Sequence, residues 1–275
     1  MDSRISLPEG PHASNTIDDS ALQNGIEKFD RNGALWIENL LSPKFVDELN
    51  HAYTKRYARL SKKELKQRYA KVGDRRYMIS VKVKPPFDSV ALSANPVLLP
   101  LLKHFLGDNC VISSFGSVVS FPGADAQPVH FDYPPLFESE STCNQLPPHA
   151  VTLVVPLINL DARTGSTAIW EGSHRASGNR NHLKQLRDDT SLEGAVLPMP
   201  KMGDVYLMDF RVIHAGTANV SNLARPILYI VYTRPWFHED ANFPEQRPIE
   251  LSRKRFKKLT KPQRKLFARA LARDE

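Results

Sequence analysis

Short apolar segments punctuated by turn-forming residues fill the second half of this 275-residue chain and limit the folds open to it. Each segment is rich in Val, Ile, Tyr and Phe, which favour strands, and Gly, Pro, Asn and Asp separate the segments. They are "CVISSFGSVVSF" (110–121), "QPVHFD" (127–132), "AVTLVVPLINL" (150–160), "TAIWEG" (167–172), "DVYLMDFRVIH" (204–214) and "RPILYIVYTRPWF" (225–237). With no helical pattern between them, these segments predict an antiparallel sandwich or barrel.

Helices are predicted ahead of the strands. Ser42 is a candidate N-cap, Pro43 suits the first helical position, and apolar residues then recur at helical spacing as far as Tyr57. A second helix is expected near residues 95–107, ended by Gly107. Residues 1–20 are expected to form a flexible leader. The prediction is therefore a mainly β chain with N-terminal helices.

The basic character of the chain belongs to its last 25 residues. Residues 251–275 hold ten Lys and Arg against two acids, so this segment's +8 exceeds the +7 of the whole chain. Leu and Phe interleave with these charges at a spacing that predicts one or two short helices, docked by an apolar stripe with their charges in water. A surface that binds polyanions is the alternative, and we consider nucleic-acid binding disfavoured. The expected organisation is one domain over 21–250 and a basic helical tail over 251–275.

Cysteine use and hydropathy predict a cytoplasmic protein. Cys110 and Cys143 are the two cysteines, and they lack C-x-x-C spacing, which favours a reducing compartment. The first 20 residues are polar and contain no apolar signal segment. The longest mostly apolar run, residues 150–160, is too short for a membrane span. The oligomeric state is left open by these features.

His130 and Asp132 stand two residues apart in one predicted strand. Side chains at i and i+2 project to the same side of a strand, so this pair can converge on one ion. His214, at the end of another predicted strand, is the candidate third ligand. Two histidines and one carboxylate on one face of an octahedral metal leave three open positions, as in non-haem Fe(II) oxygenases. The spacing therefore predicts an iron site, and the alternative for each histidine is a packed core residue.

Arg225 follows His214 by eleven residues, across a predicted turn. This offset can return its side chain to the neighbourhood of the metal on the adjacent strand. A planar guanidinium binds a carboxylate through two parallel hydrogen bonds, which a lysine cannot do. We expect Arg225 to bind a carboxylate near the metal.

The motifs also resemble a known family. "GDVYLMDFRVIHAGTANVSNLARPILYIVYTRPWF" (203–237), together with "QPVHFD" and "TGSTAIWEGSHR" (164–175), resembles the phytanoyl-CoA dioxygenase family. Its members are Fe(II)- and 2-oxoglutarate-dependent oxygenases with a double-stranded β-helix core, a jelly roll related to the cupins. The resemblance extends from about residue 22 into the basic tail. It implies the same core, cofactors and O₂ chemistry for this chain.

Carried over by position, the resemblance implies a set of site residues. The iron ligands are His130, Asp132 and His214; Arg225 binds the distal carboxylate of 2-oxoglutarate; Gln127 and Thr167 contact the same co-substrate. The implied reaction is oxidation, most simply hydroxylation, of an unactivated C–H bond of a small molecule, with release of succinate and CO₂. Secondary metabolites and acyl conjugates are the substrate classes that the resemblance suggests. No catalytic side chain is predicted beyond the metal centre.

Two positions modify this expectation. Many relatives carry Trp where this chain has Val154, which predicts an altered co-substrate contact and a larger pocket. Asp132 is retained, which disfavours halogenation, because halogenating relatives replace this ligand by a small residue. The alternative function is that of a cupin-like metal-binding protein or isomerase that does not use 2-oxoglutarate, and Arg225 argues against it.

Two further segments are interpreted less specifically. The Pro-rich and polar stretch 133–149 is expected to be a mobile lid over the site. Arg75, Arg76, Lys82 and Lys84 are expected to lie on a solvated strand face, with contact to an anionic substrate as the less favoured alternative.

Overall fold

The strand-rich core appears in the structure, a computed structural model that describes residues 3–8, 16–57, 60–61, 63–65, 69–137, 139–175, 179–189, 191–239, 249–270 and 272–273. The strands are β1 (Arg4–Ser6), β2 (Ala34–Glu38), β3 (Ala70–Gly73), β4 (Arg76–Ser80), β5 (Val111–Ser120), β6 (Ala150–Pro156), β7 (Thr167–Ile169), β8 (Val205–Asp209), β9 (His214–Gly216), β10 (Arg225–Thr233), β11 (Leu251–Ser252) and β12 (Ala272–Arg273). Eight of them form one sheet in the order β1-β2-β8-β6-β10-β5-β4-β3. β7 pairs with β9 in a small second sheet.

The helices pack around this sheet. They are α1 (Asp19–Asn32), α2 (Pro43–Tyr57), α3 (Val90–Ser93), α4 (Leu98–Leu106), α5 (Glu140–Gln145), α6 (Asn179–Asp189), α7 (Arg253–Lys258) and α8 (Lys261–Leu266). Both predicted helices are present: α2 starts at Pro43, with the Ser42 hydroxyl accepting from the Phe45 amide at 3.2 Å, and α4 ends at Gly107. None of the helices in the described ranges is long and apolar enough to cross a bilayer.

Alternation along β10 divides its side chains between two environments. Successive strand residues point to opposite faces, and here both faces are covered. Leu228, Ile230 and Tyr232 join the main core, which also contains residues of α1, α2 and α4. Arg225, Ile227, Tyr229 and Val231 line a cavity on the other face. The same division on β6 puts Leu153 in the core and Val154 in the cavity.

The cavity lies between the large sheet and the small β7–β9 sheet, which is the arrangement of a double-stranded β-helix. The predicted fold class is confirmed. The segment 127–132, however, is not the regular strand that its sequence predicts: it makes one isolated antiparallel bridge, between His130 and His214. Pro128 has no amide hydrogen to donate, which interrupts the ladder. The segment nevertheless runs alongside β9, because the Gln127 amide donates to the Gly216 carbonyl at 2.8 Å.

The predicted strand 204–214 is two strands in two different sheets. β8 belongs to the large sheet and β9 to the small one. Between them the Asp209 carboxylate accepts from the Arg211 amide at 2.9 Å, and the Val212 amide donates to the Asp209 carbonyl at 3.0 Å. This turn carries the chain across the cavity. The single-strand prediction was wrong because the apolar pattern continues through the turn.

Parts of segment 1–20, which the sequence predicts to be a flexible leader, form regular secondary structure. β1 pairs parallel with β2, placing Arg4 opposite Trp36. α1 begins at Asp19, and the Asp18 side chain caps it by accepting from the Ala21 amide at 2.8 Å. Residues 1–2 and 9–15 of the expected leader lie outside the described residues.

The basic tail packs against the main core through its apolar residues. Leu259, Leu266 and Phe267 are buried in that core, while most Lys and Arg side chains of α7 and α8 are exposed. Gln263 is also buried, and its side-chain amide donates to the Asp88 carbonyl at 2.8 Å. The tail is therefore attached to the body of the domain by specific contacts.

A pair of substitutions on β10 tests the division of its two faces. Ile230→Ala should lower the free energy of unfolding by about 2–5 kcal/mol, because it removes methyl groups from the close-packed main core. Ile227→Ala should cost less than half as much, because its side chain borders a cavity that can relax or hydrate. Urea unfolding followed by far-UV circular dichroism measures both. Equal losses would contradict this assignment of faces.

Candidate active site

His130, Asp132 and His214 meet at one end of the cavity. One ligand atom from each side chain lies within 4.8 Å of the other two. The His214 Nε2 and Asp132 Oδ1 atoms are 3.5 Å apart, and the two imidazole ring centroids are 4.4 Å apart. The residues predicted from sequence spacing are thus brought together on the extended 127–132 segment and on β9.

Hydrogen bonds orient each of these side chains. His130 Nδ1 lies 2.8 Å from the Pro128 carbonyl, and His214 Nδ1 lies 3.0 Å from the Val212 carbonyl. A carbonyl can only accept, so each Nδ1 carries the hydrogen and each Nε2 keeps its lone pair for a metal. The Thr152 hydroxyl donates to Asp132 Oδ2 at 3.2 Å. Two imidazoles that can each offer Nε2 and one oriented carboxylate suit a divalent transition metal such as Fe(II).

The electrostatics of the three side chains also favour a cation. Burial, and then the neighbouring His214 charge, lower the pKa of His130 to about 4, so His130 is neutral at physiological pH. Burial alone would raise the pKa of Asp132, but the charge and hydrogen bond of His214 have the larger opposite effect. The pKa of Asp132 is therefore lowered, and the carboxyl stays ionised. Burial alone would lower the pKa of His214, but Asp132 raises it. The anionic carboxylate therefore requires a positive partner, which is a proton or a metal ion.

The cavity beside this triad has a volume of about 330 Å³, near the lower end of the roughly 300–1,000 Å³ typical of small-molecule sites. Two arginines form its inner end. Arg76 on β4 and Arg225 on β10 are both paired with Ser120 on the intervening β5, so the three side chains stand in one row on the same face of the sheet.

Arg225 lies where its sequence position predicts. Its side chain is buried at 2% exposure and lines the same cavity as the triad. One Nη group donates to the Ser166 carbonyl at 3.1 Å and the other to the Ser120 hydroxyl at 2.9 Å. Its Nε has no partner among the described residues. Burial lowers the pKa of Arg225, so the guanidinium has an incompletely compensated charge.

Arg76 contradicts the expectation of a solvated strand face. It is fully buried, at 0% exposure, and lines the cavity next to Arg225. Nη2 donates to the carbonyls of Asp125 and Thr217 at 2.9 and 2.8 Å, while Nε and Nη1 have no partner within the described chain. Burial, and then the Arg225 charge, lower the pKa of Arg76 to about 9. The group remains charged at neutral pH.

No carboxylate in the described ranges lies within ion-pair distance of either guanidinium. Burying a charge without a counter-charge is costly. Two buried like charges, each with N–H groups that have no partner among the described residues, line one cavity and therefore form a candidate site for an anionic ligand. The pair is suited to a carboxylate, because each guanidinium offers several donors in one plane.

Gln127 is fixed between two strands at this end of the cavity. Its Oε1 accepts from the Gly216 amide at 3.2 Å, and its Nε2 donates to the Val72 carbonyl at 3.3 Å. Only glycine fits at position 216, because a Cβ there would collide with Arg76 Nη1 and Gln127 Oε1. One amide hydrogen of Gln127 is left to face a ligand.

Thr167 also lines the cavity, and its hydroxyl lies 2.8 Å from the Tyr206 hydroxyl. Val154, the position at which many relatives carry Trp, is paired with Tyr206 on one side and Tyr229 on the other. Val154 and Tyr229 both line the cavity. The aromatic surface of the cavity at this position therefore comes from the neighbouring strand β10.

A buried ion pair holds the turn between β8 and β9. Arg211 binds Asp209 through two hydrogen bonds, of 2.9 Å from Nε and 2.6 Å from Nη2. The remaining Nη1 donates to the carbonyls of Cys143 and Leu146 at 3.0 and 2.8 Å. Segment 133–149, expected to be a mobile lid, is thereby anchored and contains helix α5.

Three residues near the site were missed or misassigned by sequence reasoning. Arg76 precedes Tyr77 and Ile79 in a strand-like alternation, which indicates a strand but not which face is covered. Arg187 on α6 and Glu239 after β10 also line the cavity. Neither belongs to a motif, so only their position in space identifies them.

The fold and the ligand set define the class of protein: a jelly roll with two histidines and one carboxylate arranged for a single metal ion. A family model, phytanoyl-CoA dioxygenase (PhyH), matches residues 29–227, which include all three predicted ligands and Arg225. The chain belongs to the phytanoyl-CoA dioxygenase family, whose members are Fe(II)- and 2-oxoglutarate-dependent oxygenases. The resemblance stated from the motifs is confirmed.

A curated relative is the dioxygenase af480 of Aspergillus fumigatus, 26% identical over 161 residues. The match covers 57% of this chain and 48% of the relative, so it spans about half of that protein's length.

Solved structures share the fold. AviO1 from Streptomyces viridochromogenes has a TM-score of 0.60 at 20% identity, over 82% of this chain and 98% of its own. HygX from Streptomyces hygroscopicus, solved with nickel and 2-oxoglutarate, has a TM-score of 0.59 at 16% identity, over 81% and 92%. SnoN, a non-haem α-ketoglutarate-dependent epimerase of nogalamycin biosynthesis, has a TM-score of 0.58 at 16% identity, over 79% and 84%.

Removing one member of the buried ion pair tests its role in holding the turn. Asp209→Asn should lower the free energy of unfolding by about 3–5 kcal/mol, because it leaves the Arg211 charge buried without its partner. The control is Asp108→Asn, whose side chain is 87% exposed and which should change stability by less than about 0.5 kcal/mol. Urea unfolding of the three proteins measures the difference. A loss below about 1 kcal/mol in Asp209→Asn would show that the pair does not stabilise the turn.

Proposed function

We propose that the protein is a dioxygenase that uses Fe(II) and 2-oxoglutarate. One observation carries the proposal: three metal-ligand side chains and two uncompensated guanidinium groups line one cavity. A co-substrate that chelates a metal at one end and carries a carboxylate at the other matches both features. The family of the chain supports this choice, as do fold relatives that were solved with 2-oxoglutarate.

His130, Asp132 and His214 would hold the iron, leaving positions for the keto-acid end of 2-oxoglutarate and for O₂. Arg225 would bind the distal carboxylate, and Arg76, which the motif did not include, would share it. Gln127 and Thr167 would contact the same molecule from the wall of the cavity. With both arginines on one carboxylate, the dianion supplies the counter-charge that the cavity otherwise lacks.

The proposed reaction is hydroxylation of an unactivated C–H bond of a small molecule. One O₂ supplies an oxygen atom to the product and one to 2-oxoglutarate, which becomes succinate and CO₂. When bound, iron supplies the oxidising chemistry. The protein would hold the co-substrate and the substrate in fixed positions and limit water access, since apolar side chains from β5, β6, β8 and β10 line part of the cavity wall. No acid–base side chain is required.

Hydroxylation is one outcome of this type of chemistry, because SnoN, which has a similar fold, is a non-haem α-ketoglutarate-dependent epimerase. The cytoplasmic location predicted from cysteine use is also part of the proposal. Both Cys110 and Cys143 are free and buried, which is compatible with a reducing compartment.

The metal assignment is tested with His214→Ala. Fe(II) and 2-oxoglutarate added anaerobically to the native protein should give a weak visible charge-transfer band, which requires both to bind together. His214→Ala should abolish this band and stoichiometric iron binding, because two ligands hold the ion much less tightly than three. His104→Ala, at an exposed histidine of α4, is the matched control and should behave as the native protein.

Retention of one tightly bound iron per chain by His214→Ala would refute the ligand set. Iron binding without a charge-transfer band in the native protein would instead favour the cupin-like alternative, in which 2-oxoglutarate is not used.

The carboxylate assignment is tested with Arg225→Met and Arg76→Met. Each should weaken 2-oxoglutarate binding by about 2–3 kcal/mol, or roughly 30- to 160-fold, because each removes charge-assisted hydrogen bonds to one carboxylate. The dissociation constant is measured by titration of the charge-transfer band. Arg253→Met, at an exposed position of α7, is the control. If Arg76→Met leaves the affinity unchanged, Arg225 alone binds the carboxylate.

A further inference from the structure

We infer that the primary substrate carries a cationic group, such as an ammonium, that Glu239 binds at the outer end of the cavity. This inference rests on the proposed function, because it assigns the second ligand of the same cavity. It names a specificity-determining residue outside the motifs of the chain.

Glu239 occupies a defined place in the cavity wall. It follows β10 in "PWFHE", is half-buried, and lines the cavity together with the metal ligand Asp132. Two arginines anchor the segment that carries it. Arg269 of the basic tail donates to the Phe237 carbonyl at 2.7 Å, and Arg234 donates to the Pro148 carbonyl at 2.8 Å. The carboxylate is therefore presented from an attached segment.

Glu239 has no cationic partner within the described residues. A partly buried carboxylate without a counter-charge is unfavourable. Burial first, and the Asp132 charge second, raise its pKa to about 7, which is the direction expected for an uncompensated acid. A ligand cation placed beside Glu239 would supply the missing charge.

Aromatic side chains near the reaction centre favour the same class of ligand. Phe131, Phe210 and Tyr229 line the cavity that contains Glu239. The face of an aromatic ring attracts an ammonium ion, and the interaction strengthens when the ion is partly desolvated. A carboxylate combined with several aromatic rings is a suitable environment for an alkylammonium group and a poor one for an anion.

Charge is also separated along the cavity. Arg76 and Arg225, at 0% and 2% exposure, form the deep end, whereas Glu239 is half-buried towards solvent. An anionic co-substrate is drawn to the deep end, and a cation is repelled from it. This separation would direct 2-oxoglutarate inward and keep an ammonium-bearing substrate at the outer end.

Among the described residues that line the cavity, Arg187 is the arginine outside the buried pair, and it could select an anionic substrate instead. Its Nε donates to the Val129 carbonyl at 2.6 Å, next to the metal ligand His130. The Arg187 residue is exposed, however, and an exposed guanidinium is hydrated and gains little from a partner. Glu239 is more buried than Arg187, so its carboxylate has the greater need of a counter-charge. A cationic group on the substrate would supply that counter-charge.

The test measures binding of three probes of equal chain length: n-butylammonium, 1-butanol and butyrate. Saturation-transfer NMR detects each probe on the full-length protein, both alone and loaded with Co(II) and 2-oxoglutarate. In the loaded protein, the paramagnetic ion also shortens the relaxation times of any probe near the metal. The variants are Glu239→Gln, which keeps the shape of the side chain and removes its charge, and Glu48→Gln, an exposed control on α2.

We expect n-butylammonium to bind the native protein and Glu48→Gln more tightly than 1-butanol. Glu239→Gln should weaken the cation on the order of tenfold, a loss of about 1.4 kcal/mol, and leave 1-butanol unchanged. Equal binding of the cation to native and Glu239→Gln proteins would overturn the inference. Preferential binding of butyrate, lost in Arg187→Met, would overturn it in favour of an anionic substrate.

Failure of the proposed function gives a different result. If Co(II) and 2-oxoglutarate do not bind, no paramagnetic relaxation appears for any probe, yet the Glu239-dependent preference for n-butylammonium is still measured in the unloaded protein. If the metal and co-substrate bind and the cation shows no preference for Glu239, the function stands and this inference fails.

Discussion

The two-residue alternation of strand side chains is the constraint on which this structure depends. One face of β10 contributes apolar residues to the main core, and the other face contributes Arg225 and part of the cavity wall. Both faces of this strand are therefore covered. A shift of register by one residue would exchange Arg225 with Pro226 and place a guanidinium in the apolar core. The long antiparallel pairings of β10 with β5 and β6 fix the register against such a shift.

Charge inside the cavity is arranged by the same sheet. The pairing of β4, β5 and β10 places Arg76 and Arg225 on either side of Ser120, while Thr152 on β6 hydrogen-bonds Asp132, a candidate metal ligand. The two arginines therefore come from the large sheet, and Asp132 comes from the extended segment 127–132 on the opposite side of the cavity. Sites built on strands keep their geometry better than sites built on loops, and the turn after β8 is stiffened by its buried ion pair.

Sequence alone predicted the parts of the site that follow from local spacing. His130 and Asp132 at i and i+2, with His214 and Arg225 at strand ends, could be placed together because strand geometry and the family resemblance agreed. Arg76 could not be placed, because the sequence near it shows alternation without indicating which face a second sheet covers. The break between β8 and β9 was also hidden, since the buried Arg211 side chain binds groups distant in sequence.

The two buried arginines have a consequence for folding as well as for chemistry. Arg76 and Arg225 are like charges that are both buried and have no counter-charge among the described residues, which is unfavourable for the folded state. Any anion that binds between them adds RT ln(1 + [L]/Kd) to the free energy of unfolding by mass action. The concentration of such a metabolite would then affect the thermodynamic stability of the folded chain as well as its rate of turnover.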